Sequence, residues 1–437
     1  MFGCDFEAAK VVIISELSRI RPVFCLKKAV CSPFLRTFAS CMRRRSFVVI
    51  LFLLIVAAAV FFCGRRCSHE VPVINVDSLF VNLNNEIVAK RAKQADRLFS
   101  DLNQAGMNGV VLYAEQGQVV YEKAFGWRDL SKRQKDSLRV EDVFQLSSDS
   151  KMFTAEAIML LQAEGKLNYD DDVRKYIPEL PYEGITIRML LHHRSGLPRY
   201  DSMADEHWPD RKKPFSNEAL IKMLAEKKPE PYGVPDGCYF YNNINYALLA
   251  SVVERVSGQH FEDFMRERIF EPLGMAHSFI YSMRGETTVP PTLPVEAHGH
   301  DLYRKGPEKT PNNYLNGVMG DKIMFSNVED LWIFNQALDN HVLLPDSLQA
   351  EAFKPGSPAW KNDENYGFGW RMSKDHPGMY FHYGWWKGYR SAVIRDESRN
   401  RFLALLCNTT YNCSPDPIWE FMCDTSVQLP EAEALEQ

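Results

Sequence analysis

The chain predicts an α+β body: one antiparallel sheet closed by strands from both ends of the chain, with flanking helices between. Three observations carry this. A hairpin signal stands early, three strand-like apolar runs stand near the end, and the middle reads as helical and irregular. Taken in order, Ile87, Val88, Ala92, Ala95, Leu98, Phe99 and Leu102 recur at helical spacing over 87–105. VVLYAEQGQVVYEKAFGW then holds two apolar runs around Glu115–Gly117, a hairpin with Gly117 in the turn. A polar stretch to Asp142 leads into a helix from about Ser148 to Glu164, closed by Gly165. The stretch Arg284–Asn313 has five prolines and little pattern, and reads as a loop or lid. Met379–Tyr383, Ser391–Ile394 and Arg401–Cys407 read as strands, with Asp396–Asn400 the turn between the last two.

Composition excludes several classes. Apolar residues make up 46% of the 437 and charged residues 24%, ordinary for a globular core. Residues 1–70 hold 11 Lys+Arg against 4 Asp+Glu, which leaves 40 against 52 for the rest. A body this acidic, with no basic block, is a poor match for nucleic acid. Six of the ten cysteines lie in the first 67 residues and no CxxC occurs, so zinc and redox readings have little support. Cys413 and Cys423 are able to pair if the body is exported, and two free thiols are as good a reading. The histidines are dispersed, and neither a metal nor another cofactor is expected.

Ser46–Gly64, SFVVILFLLIVAAAVFFCG, is a run of 19 residues without a charge, long enough to cross a bilayer core, and Arg43–Arg45 precede it. The positive-inside rule places residues 1–45 in the cytoplasm and the body outside, in the periplasm or the extracellular space. Met42 itself opens a well-formed export signal, so 1–45 is either a cytoplasmic tail or, over its first 41 residues, an extension ahead of the true start. The expected organisation is a tail over 1–45, a transmembrane segment over 46–64 and a linker over 65–86. A single domain follows over 87–425, then a C-terminal tail over 426–437.

The chemistry concentrates in FQLSSDSKMFTAEAIMLL. Ser148-Asp149-Ser150-Lys151 is the one Ser-x-x-Lys of the chain. A tetrad of this kind is expected by chance in a chain this long, so its place matters more: it follows an apolar run and opens a helix. Residues i and i+3 share a helix face, so the Lys151 amine reaches the Ser148 hydroxyl. A free serine is a weak nucleophile and needs that help. Tyr-x-Asn occurs at Tyr241–Asn243 and again at Tyr314–Asn316. A tyrosine beside a lysine cation is expected to have its pKa lowered toward that of a base. Tyr241, in a loop that opens a helix, is favoured by position. His-x-Gly occurs at His376–Gly378 and at His382–Gly384. His382 is favoured because it ends a strand, beside a glycine that would let substrate approach the backbone.

With these motifs assembled, residues 88 to about 423 resemble the serine β-lactamase-related family: class C β-lactamases, penicillin-binding carboxypeptidases and related esterases. FQLSSDSKMFTA looks like the nucleophile motif, and LLHHRSGLP (190–198) like the family's Leu-Leu-Thr-His-x-Ser-Gly-Leu-Pro signature. YNNINYALLASVVERVSG, GDKIMFSNVEDLWIFNQAL, YGFGW and HYGWWKGY resemble further family segments. The resemblance implies a β-lactamase/transpeptidase-like fold, in which the sheet packs against an all-helical lobe across a cleft. It implies that Ser148 is acylated, that Lys151 is its partner and Tyr241 the base, and that Asn243 orients substrate. It places His382 at the cleft where true β-lactamases carry Lys, and the oxyanion on the backbone N–H groups of Ser148 and Trp385. Trp385 and Trp386 are expected to wall the cleft. A His382 that gains a proton near the reference pKa of ~6.5 would favour anionic substrates as pH falls. The substrate would be an ester, a D-amino-acid peptide or a β-lactam. Asp149 departs from the family pattern. A carboxylate there either pairs with Lys151 and damps it or simply points outward, and the first case keeps open a silent scaffold that only binds cell-wall peptides.

Overall fold

The computed structural model describes residues 86–303, 306–358, 364–410, 415–427 and 429. They fall within one compact unit, Val71–Gln437. The apolar run 46–64, the tail, the linker, Cys413 and residues 430–437 lie outside the described residues. Among the described residues no helix is long and apolar enough to cross a membrane.

Helix α1 (Glu86–Gln104) forms where the sequence places it and buries one stripe: Val88, Arg91, Ala95, Phe99 and Leu102. Strands β1 (Gly109–Glu115) and β2 (Gln118–Phe125) make the expected hairpin, with Gln116 and Gly117 both at positive φ in the two-residue turn. The C-terminal strands are longer than the apolar runs suggest: β10 (Met379–Trp386), β11 (Tyr389–Asp396) and β12 (Arg401–Cys407). With β8 (Glu364–Tyr366) and β9 (Arg371–Ser373) they complete a sheet of order β2-β1-β12-β11-β10-β9-β8. β1 pairs antiparallel with β12, Val110 opposite Leu406 and Leu112 opposite Ala404, so the two ends of the body meet in mid-sheet.

The period of two sorts the sheet residues onto two cores. Val111, Tyr113, Phe381, Ile394, Leu403 and Leu405 face α1 and the C-terminal helix α11 (Asp416–Cys423). Val110, Leu112, Val393, Ala404 and Leu406 face the larger helical side. There lie α2 (Ser150–Ala163), α6 (Asn243–Ser257) and α9 (Val328–Asp339). α2 is buried from Ser150 to Leu161, so it is the central helix of the body rather than a surface one. α6 starts on Asn242, whose side chain accepts from the Ile244 N–H, and stops at Gly258, where φ is +73°. The shorter α3 (Ile187–Leu191), α4 (Tyr200–His207), α5 (Asn217–Lys227), α7 (Phe261–Met265), α8 (Glu271–Leu273) and α10 (Asp346–Gln349) fill the helical side.

The region 284–313 is not the patternless loop expected of it. It carries a two-stranded hairpin, β5 (His300–Tyr303) and β6 (Gly306–Lys309). His300 is fully buried, with Nε2 3.0 Å from Asp129. Proline density, with Pro307 inside β6 itself, hid the two strands. Two-residue strands β3 (Phe144–Gln145) and β4 (Phe279–Ile280) flank β7 (Met324–Ser326) in a small second sheet.

Candidate active site

The nucleophile turn follows directly from β3. Leu146 is fully buried, Ser147 takes φ +53°, and Ser147–Asp149 form one 3-10 turn that runs into α2. A non-glycine residue held at positive φ is a strained position of the kind functional sites retain. The turn leaves Ser148 half-buried while Ser147, Asp149, Ser150 and Lys151 are buried. Lys151 lies fully buried along the face that Ser148 shares. Its Nζ stands 3.2 Å from Ser148 Oγ and donates to the Asp321 carbonyl at 2.7 Å. Burial lowers the Lys151 pKa to about 7, with Arg371 assisting and Asp321 opposing.

Gly384 is what lets the sheet reach this turn. A Cβ there would sit 2.1 Å from Ser391 Oγ, 2.3 Å from the Leu146 carbonyl and 3.0 Å from Ser147 Cβ. The sequence reading reserved the space at this glycine for substrate. The structure fills it with the nucleophile turn, so Gly384 sets the approach of β10 to Ser148.

Tyr241 joins from the loop before α6, its ring 5.1 Å from Lys151 Nζ and 4.7 Å from the Arg371 guanidinium. Its acidity moves against the expectation. Burial pushes the phenol well above its ordinary range, and the nearby Arg371 cation offsets this only in part. Tyr241 therefore keeps its proton at neutral pH. Asn243 opens α6, half-buried, with a shielded Oδ1 that has no partner among the described residues. The other Tyr-x-Asn serves the same cleft indirectly: Asn316 accepts from the Trp386 indole N–H at 2.7 Å. Trp386 is half-buried over Lys322, whereas Trp385 is 63% exposed and stacked on Arg390, so the two tryptophans do not form one wall.

His382 departs furthest from its expected role. It is fully buried, its Nε2 3.0 Å from the Tyr366 hydroxyl and its Nδ1 3.2 Å from Asp149 Oδ1. Burial holds its pKa well below 6.5, reinforced by Arg371 and Lys151. Burial holds Asp149 well above its ordinary value. The imidazole is thus neutral, and His382 does not supply the gain of anionic substrates expected of it as pH falls. Asp149 turns inward to His382 rather than forming an ion pair with Lys151, and its pull on the lysine pKa is outweighed by burial. His193, at φ +56°, accepts from the Asn242 N–H at 3.2 Å and contacts Asn245 at 2.9 Å, and so holds the turn before α6.

Sequence reasoning gave no role to Arg371, Tyr366 or Asp321. Tyr366 stood in the YGFGW segment and Asp321 in the GDK segment, so both carried a motif signal. Arg371, on a three-residue strand, carried none. Among the described residues, no group of three or more His, Cys, Asp or Glu is placed to hold a metal.

A family model described as Beta-lactamase matches residues 95–420. Penicillin-binding protein 4* of Bacillus subtilis (strain 168) is 33% identical over 330 residues, 73% of this chain and 72% of that protein. A putative D-alanyl-D-alanine carboxypeptidase of Escherichia coli (strain K12) is 26% identical over 395 residues, 78% of this chain and 88% of the other. The fold superposes on the octameric penicillin-binding protein homologue from Pyrococcus abyssi with a TM-score of 0.64, at 24% identity over 78% of each chain. It superposes on the D-amino acid amidase from Ochrobactrum anthropi SV3 with a TM-score of 0.63, at 23% identity over 76% of this chain and 97% of that one.

Proposed function

The chain belongs to the β-lactamase family of serine hydrolases, and from that premise we propose that Ser148 forms an acyl-enzyme with a D-amino-acid peptide, amide or small ester. One observation carries the reading: a buried lysine, with its pKa near 7, stands 3.2 Å from the hydroxyl of a half-exposed serine at a strained turn. A neutral amine has two N–H bonds and one lone pair. One N–H goes to the Asp321 carbonyl, and the lone pair is left to take the Ser148 proton as Oγ attacks the carbonyl carbon. The N–H groups of Ser148 and Trp385 receive the oxyanion. Tyr241, protonated at neutral pH, gives its proton to the leaving amine or alkoxide and regains one from Lys151. Asn243 orients the substrate amide. Water then attacks the acyl-enzyme by the same groups in reverse.

Arg371 brings a fixed positive charge beside Tyr241, whereas His382 is neutral. A substrate carboxylate is held there, less rigidly than by a lysine on β10, and this favours a flexible D-peptide over a fused β-lactam. The name of one relative, a putative D-alanyl-D-alanine carboxypeptidase, agrees with this preference. We further propose that the uncharged run 46–64, with Arg43–Arg45 before it, tethers the body outside the cytoplasm. Purified residues 68–437 tested on a D-Ala-D-Ala peptide, D-phenylalanine amide, a short nitrophenyl ester and nitrocefin should turn over the first three faster than nitrocefin. Nitrocefin turnover matching the best of the others overturns the substrate preference.

A further inference from the structure

The His-x-Gly that the active site does not use and the cysteine near the C-terminus come together on the opposite face of the sheet. His376-Pro377-Gly378-Met379 is a tight turn closed by the Met379 N–H on the His376 carbonyl at 3.1 Å. It holds an imidazole and a thioether close together at the start of β10. Cys423 ends α11 and brings its thiol to both. Its Sγ lies 3.6 Å from His376 Nδ1 and 3.8 Å from Met379 Sδ, and it is a free thiol. We propose that Cys423, His376 and Met379 form a binding site for a cuprous ion.

Geometry and donor chemistry support this independently. With metal–ligand lengths of about 2.3 Å to sulfur and about 2.0 Å to nitrogen, each separation fits an ion shared by that pair, at S–M–S and S–M–N angles of about 110°. No backbone movement is needed to close that part of the site. Thiolate plus thioether is a soft donor pair, which selects Cu(I) over Zn(II) or the hard cations. The imidazole is already oriented: it stacks on Trp419 at 5.1 Å and 19°, and the Trp419 indole is fixed by donating to the Tyr383 hydroxyl at 2.7 Å. The site is reachable, because His376 and Cys423 are half-buried while Met379 is 1% exposed and lines its floor. A hollow lined by Ser373, Asp375, Phe381 and Trp419 opens beside them. On binding, the thiol releases its proton to solvent, the sulfur lone pair forms the S–Cu bond, and the copper stays cuprous throughout.

The test is anaerobic Cu(I) titration of the full chain in detergent against bicinchoninate, with a parent in which the eight cysteines other than Cys407 and Cys423 are serine. Cys423→Ser, His376→Gln and Met379→Leu are compared with it. Each variant should lose one tightly held copper, or hold it at least 10-fold more weakly. X-ray absorption at the copper edge should lose one sulfur neighbour in Met379→Leu. Labelling of Ser148 by a fluorophosphonate confirms that each variant is folded, and the half-exposed His376→Gln carries the test where a buried change disturbs folding. Copper retention by His376→Gln and Cys423→Ser equal to the parent, or Zn(II) held as tightly as Cu(I), overturns the proposal.

Discussion

A lysine that loses its charge on folding is the residue-scale fact from which the chemistry follows. Because the Lys151 pKa drops to about 7, kcat/KM should rise with pH along a limb near 7 and need no deprotonation of Tyr241. A limb near 9–10 would return the base role to a free-like lysine or tyrosine. The same shift carries a sign for stability. Between about pH 7 and the unfolded lysine value of ~10.4, the unfolded chain binds a proton that the folded chain lacks, so stability rises with pH across that window. Lys151→Met should therefore lower kcat/KM by ~10³ or more, yet melt higher than the parent at pH 6, where keeping the amine buried is most costly. Asp149→Asn should change activity less than ~10-fold, because the carboxylate faces His382 and not the amine. A large rise in rate would show that Asp149 does restrain Lys151. The Ser-x-x-Lys was legible because i and i+3 share a helix face. The state of His382 was not, because a strand histidine shows its neighbours only when Asp149 and Tyr366 have been brought around it from other elements.

At the scale of elements, the approach of β10 to the nucleophile turn is the contact most sensitive to a single atom. Gly384→Ala puts a methyl group against the Leu146 carbonyl and Ser391 Oγ, and the turn or the strand must move. Activity should fall at least 10²-fold, a loss typical of an ångström-scale misplacement, while the secondary structure stays intact by circular dichroism. Helix α1 shows ordinary packing by contrast: Phe99 is fully buried against Tyr121, and Phe99→Ala should cost about 3–5 kcal/mol in urea denaturation. Apolar periodicity made α1, the β1–β2 hairpin and the three last strands readable in advance. It failed for β5 and β6, where Gly306, Pro307 and Glu308 give no alternation and pairing with a neighbouring strand makes the structure. It failed also for β8 and β9, too short to show a period, and so the strand that carries Arg371 went unseen.

Across the whole molecule, both ends of the body pair in mid-sheet, so the site depends on a fold completed only when β12 slots beside β1. Truncation after residue 396 should abolish soluble folded protein rather than give a weaker enzyme, as read by expression and circular dichroism. The tether is a separate whole-chain prediction. An alkaline phosphatase fusion after residue 437 should be active, and activity instead of a cytoplasm-only reporter at that point would contradict export. The central claim is that Ser148 carries the acyl group because Lys151 makes it nucleophilic. Intact-mass spectrometry after exposure to a fluorophosphonate tests it most directly. The account predicts one adduct per chain, mapped to the peptide containing Ser148, formed faster as pH rises through 7 and absent in Ser148→Ala. An adduct of equal yield in Ser148→Ala, or none in the parent chain at pH 8, would contradict it.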